Sequence, residues 1–408
     1  FNAANPYVNY ASYDTNGDGY IAGSELHLVI IVAGYETSYG GASQACSPGV
    51  WAHQWGLDTT VPPPLVDGVY VGSSARGGYS QFGEWHCASF DTPGHKATMG
   101  QMVHEMGHDI KWPDLYDIDG SSYGVGAWSI MAGGSWNYVA GGLQGAMPAH
   151  PDAFLKWYQG WLTPQQVTGS VSNVQLQQIE SNQRAIQLLN NPSGVDWSFF
   201  DHSGTGEYFL VENRQKVGYD AGLPGCGLLI WHIDETRPFN NTTNATDSRR
   251  LVDLEEADGL RHLDFKTNRG DAGDPFPGSS TNTTFNASSN PNSNLYSGAA
   301  SGVSVTSISS CASTMTANMT APGTAPTATR TPTRTATRTA TRTPTHTATR
   351  TQTPAAPRPP ARAPPPVPTR AYPARGRASI CPSSSPTTRP RRPPPRPPAR
   401  PRPAPAGG

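Results

Sequence analysis

From Ala321 onward the chain carries sixteen arginines and no lysine, aspartate or glutamate, whereas the residues before it hold the other 13 basic side chains against all 30 acidic ones. The stretch opens with "TATRTPTRTATRTATRTPTHTATRT", a four-residue repeat of Thr-Ala/Pro-Thr-Arg, and turns into almost pure Pro, Arg and Ala. With scarcely an aromatic or large aliphatic side chain to bury, it cannot offset the entropy of ordering its backbone. Residues 321–408 are therefore expected to form a disordered, extended Thr/Pro/Arg-rich linker tail, free to tether the body to another domain or surface. Aromatic interleaving is nearly absent, so a nucleic-acid partner is not expected despite the positive charge. A packed core has to come from the acidic, Gly/Ser/Asn-rich body that precedes the tail.

That body has no apolar run near the ~18 residues that a membrane-spanning helix needs. The longest, "LHLVIIVAG" from Leu26, has strand length and reads as a buried strand. Because the chain opens on Phe1 rather than Met, it reads as a processed or fragmentary product whose export signal is out of view. Four of the five cysteines, Cys46, Cys87, Cys226 and Cys311, lie in the body, and no two sit at C-x-x-C spacing. Two disulfides in an exported protein fit this better than a cysteine metal site. Three pairings stay open; Cys46–Cys87 with Cys226–Cys311 is the one adopted.

Residues 1–164 alternate strand-like runs, Gly-rich loops and two helices, one near Ala97–Ile110 and one near Asp152–Tyr158 after the breakers Pro148 and Pro151. Residues 165–320 hold short strand-like runs ("GEYFLVEN", "CGLLIWHID", "GVSVTSIS") between Gly, Asn, Ser and Pro clusters, which predicts a β-rich lobe.

The chemistry concentrates in "MVHEMGHDIKWPDLYD", residues 102–117. On a helix, His104 and His108 point from one face and are both able to reach one zinc ion. Glu105, about 100° round the helix from His104, is placed to take a proton from a water bound to the metal. Zinc lowers the pKa of such a water towards neutrality, which suits hydrolysis of a peptide bond. Twenty-three residues after His108 comes "WSIMAGGSW", centred on Met131, which looks like the methionine turn beneath the zinc of metzincins. His232, in "IWHID", reads as a residue packed between strands.

With these blocks in view, "HEMGHDIKWPDLYDIDG", "GVGAWSIMAGGSW" and "PDAFLKWYQGWLTP" resemble in order those of the immune inhibitor A family of secreted bacterial metallopeptidases. "FLVENRQKVGYDAGLPGCGLLIWHID", "VDLEEADG" and "GDAGDPFPG" are similar to that family's downstream segments. The resemblance spans residues 7 to 320 and none of the tail. It implies a secreted zinc endopeptidase acting on protein or peptide substrates, with an α/β (α+β) metzincin-like catalytic domain. Glycine usually occupies the position of Lys111, where the chain bends after the helix. Either Lys111 takes a left-handed conformation, costing about 1 kcal/mol, or the turn differs.

Two histidines leave a catalytic zinc short of the usual three protein ligands. In His-x-x-x-His-x-x-Gly-x-x-His enzymes the third lies six residues after the second histidine. Here that position is Asp114, freed from the helical register by Pro113. Asp117 and a glutamate from a distant helix are the competitors. A second metal is suggested by "DTNGDGYIAGSE", which puts Asp14, Asn16, Asp18, Gly19 and Glu25 at positions 1, 3, 5, 6 and 12 of a calcium loop, with the Tyr20 carbonyl at position 7. The flanks do not suit a helix–loop–helix, so a structural calcium ion stapling loop to strand competes with a metal-free Asx turn. "DIDG" (Asp117–Gly120) and "GDAGD" (Gly270–Asp274) read as acidic turns. The rival to an enzyme is a non-catalytic, calcium-binding adhesive or substrate-binding module with an inert zinc motif. A degenerate copy loses its base first, and this chain keeps Glu105. A chain truncated near Ala321 is expected to melt and to digest casein like the full chain. Loss of either property in that truncation would show that the tail packs on the body.

Overall fold

A computed structural model describes residues 1–39, 46–57, 62–73, 77–87, 94–191, 206–237 and 249–323. The tail beyond residue 323 lies outside them. A mixed sheet opens the fold, with strands β1 (Val29–Glu36), β2 (Gly49–Val50) and β3 (His53–Trp55). After a hairpin of β4 (Leu65–Val66) and β5 (Val69–Tyr70) come β6 (Tyr79–His86) and β7 (His95–Lys96). The order is β2-β1-β6-β3, with β7 also on β6; β1 runs parallel to β2 and β6, and β3 antiparallel to β6. The expectation of a buried strand at "LHLVIIVAG" is corrected here. β1 alternates, leaving Val29 38% and Ile31 62% exposed, because helix α1 (Met99–Asp109) packs against β6 and β3 instead.

Helix α1 ends in a Schellman motif. Trp112 N–H donates to Gly107 O and Lys111 N–H to His108 O, both at 2.9 Å, with Lys111 at φ 78°. Lys111 thus holds the left-handed position that glycine normally fills. Helix α2 (Ala153–Tyr158) is capped by the buried Asp152, which accepts from Leu155 N–H and from the Ser129 hydroxyl. Burial pushes the Asp152 carboxyl up to about 6.

Eight further strands make the remainder sheet-rich. Strands β8 (Gln165–Val167), β9 (Gly169–Gln177), β10 (Ala185–Leu188), β11 (Glu207–Arg214), β12 (Gly227–Asp234) and β13 (Val252–Leu254) lead to β14 (Ser304–Thr306) and β15 (Thr314–Ala321). They form one sheet of order β13-β12-β11-β10-β8 and another of order β14-β15-β9. Every position of β12 is buried, the apolar run Leu228–Trp231 and also the polar His232 and Asp234. The principal core joins Trp112, Leu115, Trp128, Met131 and Phe154 to Tyr208, Leu210, Leu229, Trp231 and Leu251, so one apolar interior runs through both stretches of sequence. Disulfides Cys46–Cys87 and Cys226–Cys311 are both formed.

His232 is buried on β12, stacked on Tyr296 at 4.1 Å, with Glu207 Oε1 at 3.0 Å and Glu255 Oε1 at 3.1 Å from its two ring nitrogens. Burial opposes its charge, but the two carboxylates outweigh burial and hold the imidazolium at about 9, above its ordinary 6.5. A raised folded-state value means that this stabilisation is fully present below pH 6.5 and is lost as pH rises through about 9. The melting temperature of His232→Gln is therefore expected to trail wild type at pH 6 and to converge with it as the pH passes about 9. A constant gap across that window would assign His232 a packing role alone.

Candidate active site

Met131 is fully buried beneath α1, and a Cβ at Gly107 would lie 2.5 Å from its sulfur and 3.0 Å from the Trp112 ring. Only glycine allows that approach, so the residue between Glu105 and His108 fixes how closely the turn seats under the helix. The helix start is as tightly held, since a Cβ at Gly100 would come within 1.8 Å of the Ser135 carbonyl.

This seating also orients the two histidines. His104 Nδ1 lies 2.9 Å from the Ile130 carbonyl and His108 Nδ1 2.8 Å from the Trp112 carbonyl. A carbonyl oxygen only accepts, so both rings carry a proton on Nδ1 and turn Nε2 into the site. There the two Nε2 atoms each stand 3.1 Å from the same atom, Asp114 Oδ1, which is buried and has no hydrogen-bond donor of its own. In the neutral rings, three lone pairs face one another. Such a convergence is stable only if a ring gains a second proton or a cation takes the centre. Nitrogen and oxygen ligands bound at about 2.0–2.2 Å to one tetrahedral zinc stand roughly 3.2–3.6 Å apart, so the donor set and its spacing fit zinc. His104, His108 and Asp114 are the one cluster of potential ligands at this site among the described residues.

The electrostatics follow the same geometry. Burial works against a charged His108, yet Asp114 and then Glu105 outweigh it and raise the imidazole to about 9. Burial likewise opposes the Asp114 anion, but the two histidines draw its carboxyl well below the ordinary range. Tyr116, which sequence reasoning missed, stacks over His104 at 6.1 Å and lies beside Asp114 in the same cavity. Burial and the Asp114 charge push its phenol far above the usual value. Its one sequence signal is its position two residues after Asp114.

Glu105 is buried, and its Oε1 accepts from the Gln101 amide at 2.8 Å, one helical turn back. It shares a cavity of about 470 Å³ with His104, His108, Asp114 and Tyr116. Trp51, His53, Gln54 and Trp55 also line it. Asp117, the competitor for the metal, is committed elsewhere, since its carboxylate accepts from Asp119 N–H, the Ser121 hydroxyl and Ser122 N–H.

The residues of the calcium-like loop are not gathered in the same way. Asp14 accepts from the amides of Gly17, Asp18 and Gly19, and Glu25 from those of Thr15, Asn16 and Ala22. Asn16 Oδ1 accepts from Asp18 N–H and Asp18 Oδ1 from Tyr20 N–H, which makes a closed Asx-turn loop.

Residues 4–162 match the family model described as immune inhibitor A peptidase M6, catalytic domain. Over 150 residues the chain is 33% identical to immune inhibitor A of Bacillus thuringiensis subsp. alesti, which covers 35% of this chain and 20% of that protein. Over 280 residues it is 28% identical to the pre-pro-metalloprotease PrtV of Vibrio cholerae serotype O1, covering 66% of this chain and 24% of that one. The matched stretches thus span a quarter or less of these relatives' lengths. The sheet-dominated fold fits a peptidase M6 catalytic domain over residues 4–162, and there the chain is similar to immune inhibitor A.

Asp114→Ala is expected to weaken zinc binding by orders of magnitude, and Asp117→Ala far less, as read by competition with a chromogenic chelator. Equal losses in the two variants would remove Asp114 from the ligand set.

Proposed function

We propose that this protein is a secreted zinc endopeptidase that cleaves protein substrates, with His104, His108 and Asp114 holding the metal and Glu105 serving as general base. The observation that carries this reading is the meeting of three acceptor atoms at the floor of an open cleft, beside a buried glutamate. A zinc ion held there supplies a Lewis acid that acidifies a water and polarises a carbonyl. The remaining chemistry belongs to the chain. Gln101 ties down Glu105 Oε1 and leaves Oε2 to accept the proton of the attacking water and pass it to the departing amine. The Ile130 and Trp112 carbonyls keep both imidazoles in the tautomer that points Nε2 inward. Asp114 as an anionic ligand leaves the site less positive than a third neutral imidazole would.

Strand β3 supports a polymeric substrate. It lies at one end of the sheet order. It contributes His53, Gln54 and Trp55 to the cavity wall. An extended peptide is able to add to such an edge through main-chain hydrogen bonds, with Trp51 and Trp55, both more than half exposed, flanking it. A helix bearing the histidine pair above a buried methionine turn supports a metzincin-like architecture. Two disulfides suit an oxidising, extracellular setting, and no described helix is long and apolar enough to cross a membrane. The tail beyond Ala321 would act as a tether.

For the loop at Asp14, Asn16, Asp18, Tyr20 and Glu25, the complete ligand spacing supports a structural calcium ion. Binding there would exchange the amide contacts of Glu25 for metal contacts. Calorimetric titration is expected to show one fewer calcium equivalent in the double variant Asp14→Ala, Asp18→Ala than in wild type. An unchanged stoichiometry would leave the loop as an Asx turn.

Glu105→Ala is expected to keep zinc while casein cleavage falls by several orders of magnitude, because the ligands stay and the base is gone. Near-wild-type cleavage by that variant would refute the assigned mechanism.

A further inference from the structure

Outside the cleft, three carboxylates converge in the loop region that follows β13. Glu256, Asp258 and Asp274 each offer an oxygen within 4.8 Å of the other two. Asp274 is fully buried. Its Oδ2 is engaged, accepting from Trp128 Nε1 and Asp271 N–H, both at 2.9 Å. Its Oδ1 is buried without any hydrogen-bond donor. Leaving a buried carboxylate oxygen bare costs more than its hydrogen bonds return, unless a cation supplies the missing partner.

Among the described residues no cation is recorded on Asp274 Oδ1: Arg250 pairs through Nη1 with Asp253 and Asp264, and Arg261 with Asp264. His262 turns Nδ1 to Asp271 at 3.0 Å. Glu256 accepts from the amides of His262 and Leu263. Burial, and then the facing Asp274, push the Glu256 carboxyl up to about 9.

We propose that Glu256, Asp258 and Asp274 form a calcium site that fastens the loop spanning residues 256–274 to the segment beneath the catalytic helix. The donors are all hard oxygens, which excludes a soft-metal preference. They come from irregular loop positions rather than an octahedral frame, which suits calcium better than magnesium. The loop has a clear mechanical target. Besides the Asp274–Trp128 bond, the Leu263 carbonyl accepts from Tyr123 N–H and the Arg269 carbonyl from Ala127 N–H. All three partners lie just ahead of Met131, so the ion would hold the floor of the zinc site from behind. This site is separate from the Asp14 loop and does not depend on the catalytic assignment.

Trp128 beside the site provides a probe. The full-length protein is titrated with terbium, and lanthanide emission is followed with excitation in the tryptophan-only band. Tryptophan-sensitised emission that calcium displaces and magnesium does not is expected from wild type. The same emission is expected from the Asp14→Ala, Asp18→Ala variant, whose altered loop neighbours Tyr20 and Tyr70 rather than a tryptophan. Asp258→Asn, which alters the most open of the three ligands, is expected to weaken terbium binding by at least the ~10-fold that loss of an outer-shell partner costs. Glu256→Gln is expected to do the same. Absence of sensitised emission in wild type, or emission unaffected by both substitutions, would overturn the site. Wild-type competition by calcium decides the matter even if a variant fails to fold.

Discussion

Trp128 is the member on which the site depends. Its side chain is fully buried, its ring N–H reaches Asp274, and its carbonyl accepts from Arg214. Arg214 is itself wholly buried, where Asp220 and Glu212 outweigh the cost of burial and keep the guanidinium firmly protonated. Removing any one of these partners would strand a charge in the interior, which costs several kcal/mol. The segment is therefore pinned from the sheet-rich stretch, far away in sequence. Two and three residues later it delivers the Ile130 carbonyl to His104 and the Met131 side chain to Gly107.

It follows that the candidate site is not the property of one helix. Helix α1 supplies His104, Glu105 and His108, but their orientation is set by carbonyls of Ile130 and Trp112 and by the packing of Met131. The Schellman turn at Lys111 then reverses the chain so that Asp114 arrives opposite both imidazoles. A left-handed lysine costs about 1 kcal/mol, a modest strain held by the two hydrogen bonds of the motif and the burial of Trp112. The common core binds these pieces into one cooperative body, consistent with a cleft whose walls come from β3, α1 and the Asp114 turn.

Much of this was legible beforehand. The spacing of His104 and His108 fixes a shared helical face, and a count of six points to Asp114, which stands 3.1 Å from both imidazoles, because helix period and turn length are local properties. The helix boundaries came within two residues, and both disulfides pair as anticipated. The error at β1 has a physical source. An apolar run indicates that a strand forms but not which faces are covered, and here α1 lies over β6 and β3 rather than over Ile31. That Asp117 is taken up by its own loop, accepting from Asp119, Ser121 and Ser122, was not legible in the sequence.

By itself the sequence determined the acidic body and basic tail, the helix that carries His104, Glu105 and His108, and the immune inhibitor A-like resemblance. Each is written in composition or in spacings of a few residues. Tertiary structure alone decided that Tyr116 stands against Asp114 and that Trp128 is clamped by Asp274 and Arg214. It also decided that Glu256, Asp258 and Asp274 come together, and that Asp274 keeps one buried oxygen without a donor. Those contacts join residues as much as 146 positions apart, and local periodicity carries no record of which distant carboxylates the packing of a shared core will bring together.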